Sequence, residues 1–256
     1  MTHTENIMEP QILTGKVALI TGGARRIGAE ISRVLHAQGM NLVVHYRASK
    51  SEAHALQAEL LAIRPDSIML IQGDLLNGAK LENLVSRTLE NYRRLDVLVN
   101  NASSFYPTPV GEATDRHWDE LVGSNLRAPF FLSQAAMPHL KKSAGCIVNI
   151  TDIHAERPLK NYPIYSIAKA GLVMLTKSLA REFGPEVRVN AVAPGTIVWP
   201  ENELDEITKQ RILSRVPQRR SGEPADIARA VLFLVRDAGY VSGQVLAVDG
   251  GRSVVA

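Results

Sequence analysis

The strongest constraint on this chain is a rhythm. Seven short apolar runs, at 17–20, 42–45, 68–72, 97–100, 146–150, 187–193 and 244–248, alternate with longer stretches of helical character. Most of the runs are continuous rather than alternating, as in a parallel sheet buried on both faces. The intervening stretches, 28–38, 50–63, 79–92, 115–141, 163–183 and 224–235, are each long enough for a crossover helix. This pattern predicts one doubly wound α/β domain, with about seven parallel strands and helices on both faces. No linker, repeat or low-complexity tract interrupts it. Residues 15–256 therefore read as a single domain behind a flexible polar lead-in, 1–14. The segment 198–222 breaks the rhythm: it is polar and charged, and is expected to be a lid over a substrate. Trp199 within it either walls the site or packs elsewhere.

Composition removes several classes of function. Apolar residues make up 45% of the 256, enough for a sizeable core without staples. The single cysteine, Cys146, excludes an intrachain disulfide and a cysteine-rich zinc module. A net charge of +3 is too weak to argue for nucleic acid, whereas a small anionic ligand suffices. No run approaches the roughly 18 apolar residues that span a bilayer. The start carries Glu5 and Glu9 and lacks the apolar region of a signal peptide. His36, His54, His117 and His139 show no metal-ligand spacing. The expectation is a soluble cytoplasmic protein with no metal, membrane or nucleic-acid partner.

Three groups of residues carry chemistry. Thr21-Gly22-Gly23-Ala24-Arg25-Arg26-Ile27-Gly28 follows the first strand and opens a helix. In such a turn, glycines let exposed N–H groups and the helix dipole approach a pyrophosphate. After the second strand, where an acidic residue would accept from a ribose 2′-hydroxyl, stand Tyr46, Arg47, Ala48 and Ser49. A guanidinium and a hydroxyl suit a 2′-phosphate, which points to NADP rather than NAD. Tyr165 and Lys169 share a helix face. A phenol is a poor acid–base catalyst at neutral pH unless a cation favours its phenolate, and Lys169 can supply that charge. Asp152 follows the fifth apolar run and so stands at the carboxyl edge of the sheet, where ligands bind in open α/β folds. His154 lies close to it.

The glycine turn, Asp74-Leu75, Asn100-Asn101-Ala102, Asn125, the Tyr165/Lys169 pair and Pro194-Gly195 together resemble the short-chain dehydrogenase/reductase family, from about Lys16 to Gly251. The resemblance implies a Rossmann-type sheet. It implies a nicotinamide cofactor held by Gly22, Arg25, Arg26, Ile27, Tyr46, Arg47, Ser49, Asp74, Leu75, Asn101, Ala102, Ser103, Tyr165, Lys169, Pro194 and Gly195. In the family the tyrosine exchanges a proton, the lysine binds the nicotinamide ribose and lowers the tyrosine pKa, and the asparagine helps hold a relay water.

Two departures narrow the resemblance. Arg26 replaces the usual middle glycine, and Asp152 replaces the usual catalytic serine. An ionised aspartate cannot donate to a substrate carbonyl, but it accepts from N–H donors. With Phe105 after the Asn-Asn-Ala turn, these features resemble the pteridine reductase subgroup. That implies Asp152, Tyr165 and Lys169 as catalytic residues, and Arg26, Ser103, Phe105, Asp152 and Tyr165 as substrate contacts, with Phe105 stacking on a pterin. The reading is an NADPH-dependent pteridine reductase acting on dihydropterin or dihydrofolate. The alternatives are a carbonyl-reducing member acting on a 3-oxoacyl or sugar substrate, and a non-catalytic NADP-binding sensor. The uncharged stretch 170–175 predicts a partner helix, with Ala170 and Gly171 allowing its close approach, and the family resemblance implies that the assembly is a homotetramer.

Overall fold

The computed structural model describes residues 12–197 and 205–255. Its strands are β1 (Val17–Ile20), β2 (Asn41–Tyr46), β3 (Ile68–Gln72), β4 (Val97–Asn100), β5 (Cys146–Ile150), β6 (Arg188–Pro194) and β7 (Val245–Val248). They form one seven-stranded sheet in the order β3-β2-β1-β4-β5-β6-β7, parallel throughout. The helices are α1 (Arg26–Ala37), α2 (Lys50–Ile63), α3 (Gly78–Tyr92), α4 (Asp115–Val122), α5 (Ala128–Ser143), α6 (Pro163–Phe183), α7 (Glu206–Ser214) and α8 (Pro224–Arg236). Two apolar clusters sandwich the sheet. One includes Leu35, Leu56 and Val231 from α1, α2 and α8. The other includes Leu84, Leu132 and Leu172 from α3, α5 and α6. The central strands β1, β4 and β5 are buried along their whole length, which is why their sequences show no polar alternation.

The structure adds detail to three expectations. The stretch 115–141 is not one uniform helix: α4 and α5 are joined by a π-helical turn, Gly123–Arg127, whose widened backbone carries Asn125. The lead-in is not polar and loose to its end, because Leu13 is buried in the first cluster. The segment 198–222 contains a helix, α7, capped by Asp205, whose carboxylate accepts from the Thr208 N–H at 2.8 Å. Trp199 lies outside the described residues.

Polar residues tie the sheet together at depth. The Asn100 amide donates to Asn149 Oδ1 at 2.9 Å, and the Asn149 amide donates to Thr176 Oγ1 at 2.9 Å, linking β4, β5 and α6. At the opposite end of the strands, Asp96 accepts from the Val17 N–H at 2.8 Å and from Arg94 at 2.8 and 2.7 Å.

His45 joins the two turns beside β2. Its Nδ1 accepts from the Gly22 N–H at 3.3 Å, so its Nε2 carries the proton donated to the Gly73 carbonyl at 3.1 Å. Burial lowers its pKa from 6.5 to about 4, against weaker upward pulls from the Gly73 bond and the Asp74 charge. The folded state holds His45 neutral while the unfolded chain protonates below pH 6.5. This contribution is absent above pH 6.5 and destabilises progressively as pH falls towards 4. Between pH 6.5 and 5 it amounts to about 2 kcal/mol. Chemical denaturation across that interval is expected to show this slope, and His45→Gln to remove it. An identical pH dependence in the variant would disprove the neutral bridge.

Candidate active site

The carboxyl ends of the strands open onto one cavity of about 760 Å³. Every residue expected to meet cofactor or substrate lines it. One end is the glycine turn, with Gly22 and Arg25 to Ile27; beside it stand Tyr46, Arg47 and Ser49 after β2, and Asp74 and Leu75 after β3. Asn101, Ala102, Ser103 and Phe105 come from the loop after β4, Asp152 from that after β5, Tyr165 and Lys169 from α6, and Pro194 and Gly195 from the end of β6. This is the crevice at which the strand order reverses on either side of β1 and β4.

The glycine turn is locked by close contact. The Thr21 hydroxyl accepts from the Asn101 and Ala102 N–H groups at 2.9 and 3.0 Å. The Asn101 amide donates to the carbonyls of Thr21 and Gly22 at 2.9 and 3.0 Å. A Cβ at Gly28 would lie 2.2 Å from the Gly22 carbonyl oxygen, so no side chain fits there. Arg26 adopts φ 52°, the left-handed conformation in which its usual glycine counterpart rests without strain. Arg47 is exposed at the cavity edge. Ser49 begins α2 without its hydroxyl capping the helix, which leaves that group available at the cavity edge.

At the other end the chemistry concentrates. The Tyr165 hydroxyl donates to Asp152 Oδ2 at 2.7 Å, while Asp152 Oδ1 accepts from the His154 N–H at 2.8 Å. Burial, the Asp152 charge and this hydrogen bond raise the Tyr165 pKa well above 10, with a Ser103 hydrogen bond opposing them. Lys169 is not among the groups that set this resting value. The Lys169 ammonium donates to the Ile150 carbonyl at 2.9 Å and stands 5.7 Å from the Tyr165 ring centroid. Burial lowers its pKa to about 8 against the pull of Asp152. Burial first, and the Asp152 carboxylate second, hold Tyr165 as a neutral phenol.

The loop after β4 is pinned by the π-helical turn. The Asn125 amide donates to the carbonyls of Ser104 and Leu121, both at 2.9 Å, and its Oδ1 accepts from the Ser103 hydroxyl at 2.7 Å. Asn125 thus positions the segment that carries Phe105. The Phe105 ring is 48% exposed. One face stacks on Tyr162 at 4.6 Å and 14°, and Tyr165 meets it edge-on at 4.8 Å. Sequence reasoning missed Tyr162, although its place one helical turn before Tyr165 was the available signal. His154 also lines the cavity, with its Nδ1 2.9 Å from the Arg157 carbonyl.

The cavity has the size of a small-molecule site, and its glycine cradle admits a close-lying pyrophosphate. Among the described residues, no helix is long and apolar enough to cross a membrane.

Comparison with known proteins agrees with the fold and divides on the substrate. The family model described as enoyl-(acyl carrier protein) reductase matches residues 22–253. A protein of Streptomyces violaceoruber described as a ketoacyl reductase of the granaticin polyketide synthase is 38% identical, covering 93% of this chain and 96% of its own. The 3-oxoacyl-[acyl-carrier-protein] reductase of Synechocystis is 36% identical, with 93% and 97% covered. Pteridine reductase 1 of Leishmania tarentolae is 34% identical, with 94% and 97% covered. With its parallel sheet, its glycine turn and its tyrosine–lysine pair gathered at one cavity, the chain belongs to the short-chain dehydrogenase/reductase family of oxidoreductases, whose members bind NAD(H) or NADP(H).

Proposed function

We propose that this oxidoreductase is an NADPH-dependent pteridine reductase. The observation that carries the reading is the Tyr165–Asp152 hydrogen bond of 2.7 Å. A carbonyl reductase uses a hydroxyl at this place to donate to its substrate's oxygen. A carboxylate cannot do that, but it accepts from the N–H groups of a pterin. Phe105 adds an aromatic face that suits a flat heterocycle. The comparisons lean towards a second reading, a 3-oxoacyl reductase, since the ketoacyl reductases share 36–38% identity against 34% for the pteridine reductase. Identity over a whole chain is dominated by the shared fold, whereas substrate choice rests on a few site residues. Asp152 and Phe105 are such residues.

In this reading Gly22, Arg26, Asn101 and Lys169 hold the cofactor, with Arg47 and Ser49 at its 2′-phosphate. When bound, the reduced nicotinamide supplies a hydride. Asp152 and burial keep the Tyr165 proton in place until a substrate N–H takes over Asp152 Oδ2. The phenol is then released to give its proton to a ring nitrogen of the substrate. Lys169, whose ammonium lies 5.7 Å from the Tyr165 ring centroid, stabilises the phenolate left behind.

Assembly follows from what α6 leaves uncovered. Ile167 and Met174 are 51% and 61% exposed, with Ala170 exposed between them, forming an apolar stripe. Phe130 and Phe131 on α5 are also exposed. We propose that these surfaces pair in a homotetramer. Gly171 plays a different part from the one expected: it packs on Leu126 of its own chain, where a Cβ would meet the leucine side chain at 2.6 Å.

Three experiments test these readings. Purified protein with NADPH is expected to reduce dihydrobiopterin or dihydrofolate, and Asp152→Ser to lower that activity about tenfold or more while the fold is kept. Reduction of an acetoacetyl thioester in place of either pterin would establish the second reading. Arg47→Ala is expected to raise the KM for NADPH about tenfold with a smaller effect on NADH. Equal use of both cofactors by the unmodified protein would refute the NADP assignment. Light scattering at micromolar concentration is expected to give a tetramer, whereas the 28.0 kDa of a single chain would exclude one.

A further inference from the structure

The proposed reaction uses the inner half of the cavity, but the outer wall carries a charge with no part in it. Arg252 lines the cavity from the short 3₁₀ turn Arg252–Val254 after β7. Its Nη1 donates to the carbonyl of Arg215, the residue that closes α7, at 3.2 Å. The Arg157 guanidinium, from the loop after β5, donates to the Val255 carbonyl on the same C-terminal turn. Three segments distant in sequence thus bring three arginines together, of which Arg252 lines the cavity.

Among the described residues, no carboxylate oxygen lies within the 4.0 Å of an ion pair from any of the three. Asp249, the nearest acid in sequence to Arg252, turns its carboxylate to backbone instead: its Oδ1 accepts from the Gly251 N–H at 2.9 Å and its Oδ2 from the Ser253 N–H at 2.6 Å. Burial, then the charges of Arg215 and Arg157, push the Arg252 pKa below the ordinary guanidinium value. Like charges gathered together beside a cavity are relieved when an anion enters. A guanidinium matches a carboxylate with two parallel donors.

We propose that Arg252, backed by Arg215 and Arg157, forms a subsite for a carboxylate-bearing tail of the substrate. The protein then favours dihydrofolate, whose glutamyl carboxylates extend from the ring, over dihydrobiopterin, whose side chain is short and neutral. This rests on the pterin reading and adds the part of the substrate that the ring site leaves unread.

The test is the ratio of kcat/KM for dihydrofolate to that for dihydrobiopterin, measured in the unmodified protein, Arg252→Gln and Arg252→Lys. The ratio is expected to fall about tenfold in Arg252→Gln, mainly through the KM for dihydrofolate, and to recover in part in Arg252→Lys. Added salt is expected to lower the ratio in the unmodified protein, a measurement that needs no variant to fold. If both pterins are reduced but the ratio responds neither to salt nor to Arg252→Gln, the subsite is wrong and the pterin reading stands. If neither pterin is reduced while an acetoacetyl thioester is, the reading and the subsite fall together.

Discussion

The site depends on one clasp, between the end of β1 and the end of β4. Helices wind in opposite directions from these two neighbouring strands, so a crevice opens between their following loops. Left alone, two adjacent loops with exposed amides would shift against each other. The Thr21 hydroxyl and the Asn101 amide prevent this by satisfying each other's backbone, while Gly28 and Gly22 permit an approach that no side chain would allow. His45 extends the same frame to the turn after β3. The crevice is therefore rigid at its cofactor end, as a preorganised binding site requires.

At the other end the organising pair is a phenol and a carboxylate. Burial and the neighbouring carboxylate hold the phenol neutral, and its proton lies in the hydrogen bond to Asp152. Lys169 stands beside the pair, with its ammonium donating to the Ile150 carbonyl. In the proposed reading, the resting site is a proton store whose release depends on what displaces the carboxylate, so that selection of a substrate with N–H donors and delivery of the proton become one event.

Much of this was legible in the residues. Continuous apolar runs identified the buried parallel strands, because a strand covered on both faces has no wet side to mark with polar residues. The site residues were legible because each follows a strand's carboxyl end, and the topology sends all such ends to one edge. Other features depend on the tertiary fold. The π-helical turn at Asn125 arises within a stretch whose periodicity looks uniformly helical. The stack of Phe105 on Tyr162 joins two loops that only the fold makes adjacent. The direction of the Tyr165 pKa shift is set first by burial and then by the Asp152 carboxylate, neither of which spacing along a helix reveals. Leu13 was hidden by the polar residues around it, although it completes the core beneath β1.

Arg26 carries a consequence for anyone who sets out to stabilise this protein. It holds a left-handed backbone conformation at φ 52°, where a residue with a side chain costs about 1–2 kcal/mol relative to glycine. Replacement by the commoner glycine would be an obvious choice in a thermostability programme guided by family consensus. It would relax the turn and at the same time remove a guanidinium from the cavity wall. At this position resistance to heat and chemical competence draw on the same few degrees of backbone torsion, and a variant improved in the first is the one in which the second should be examined before any other property.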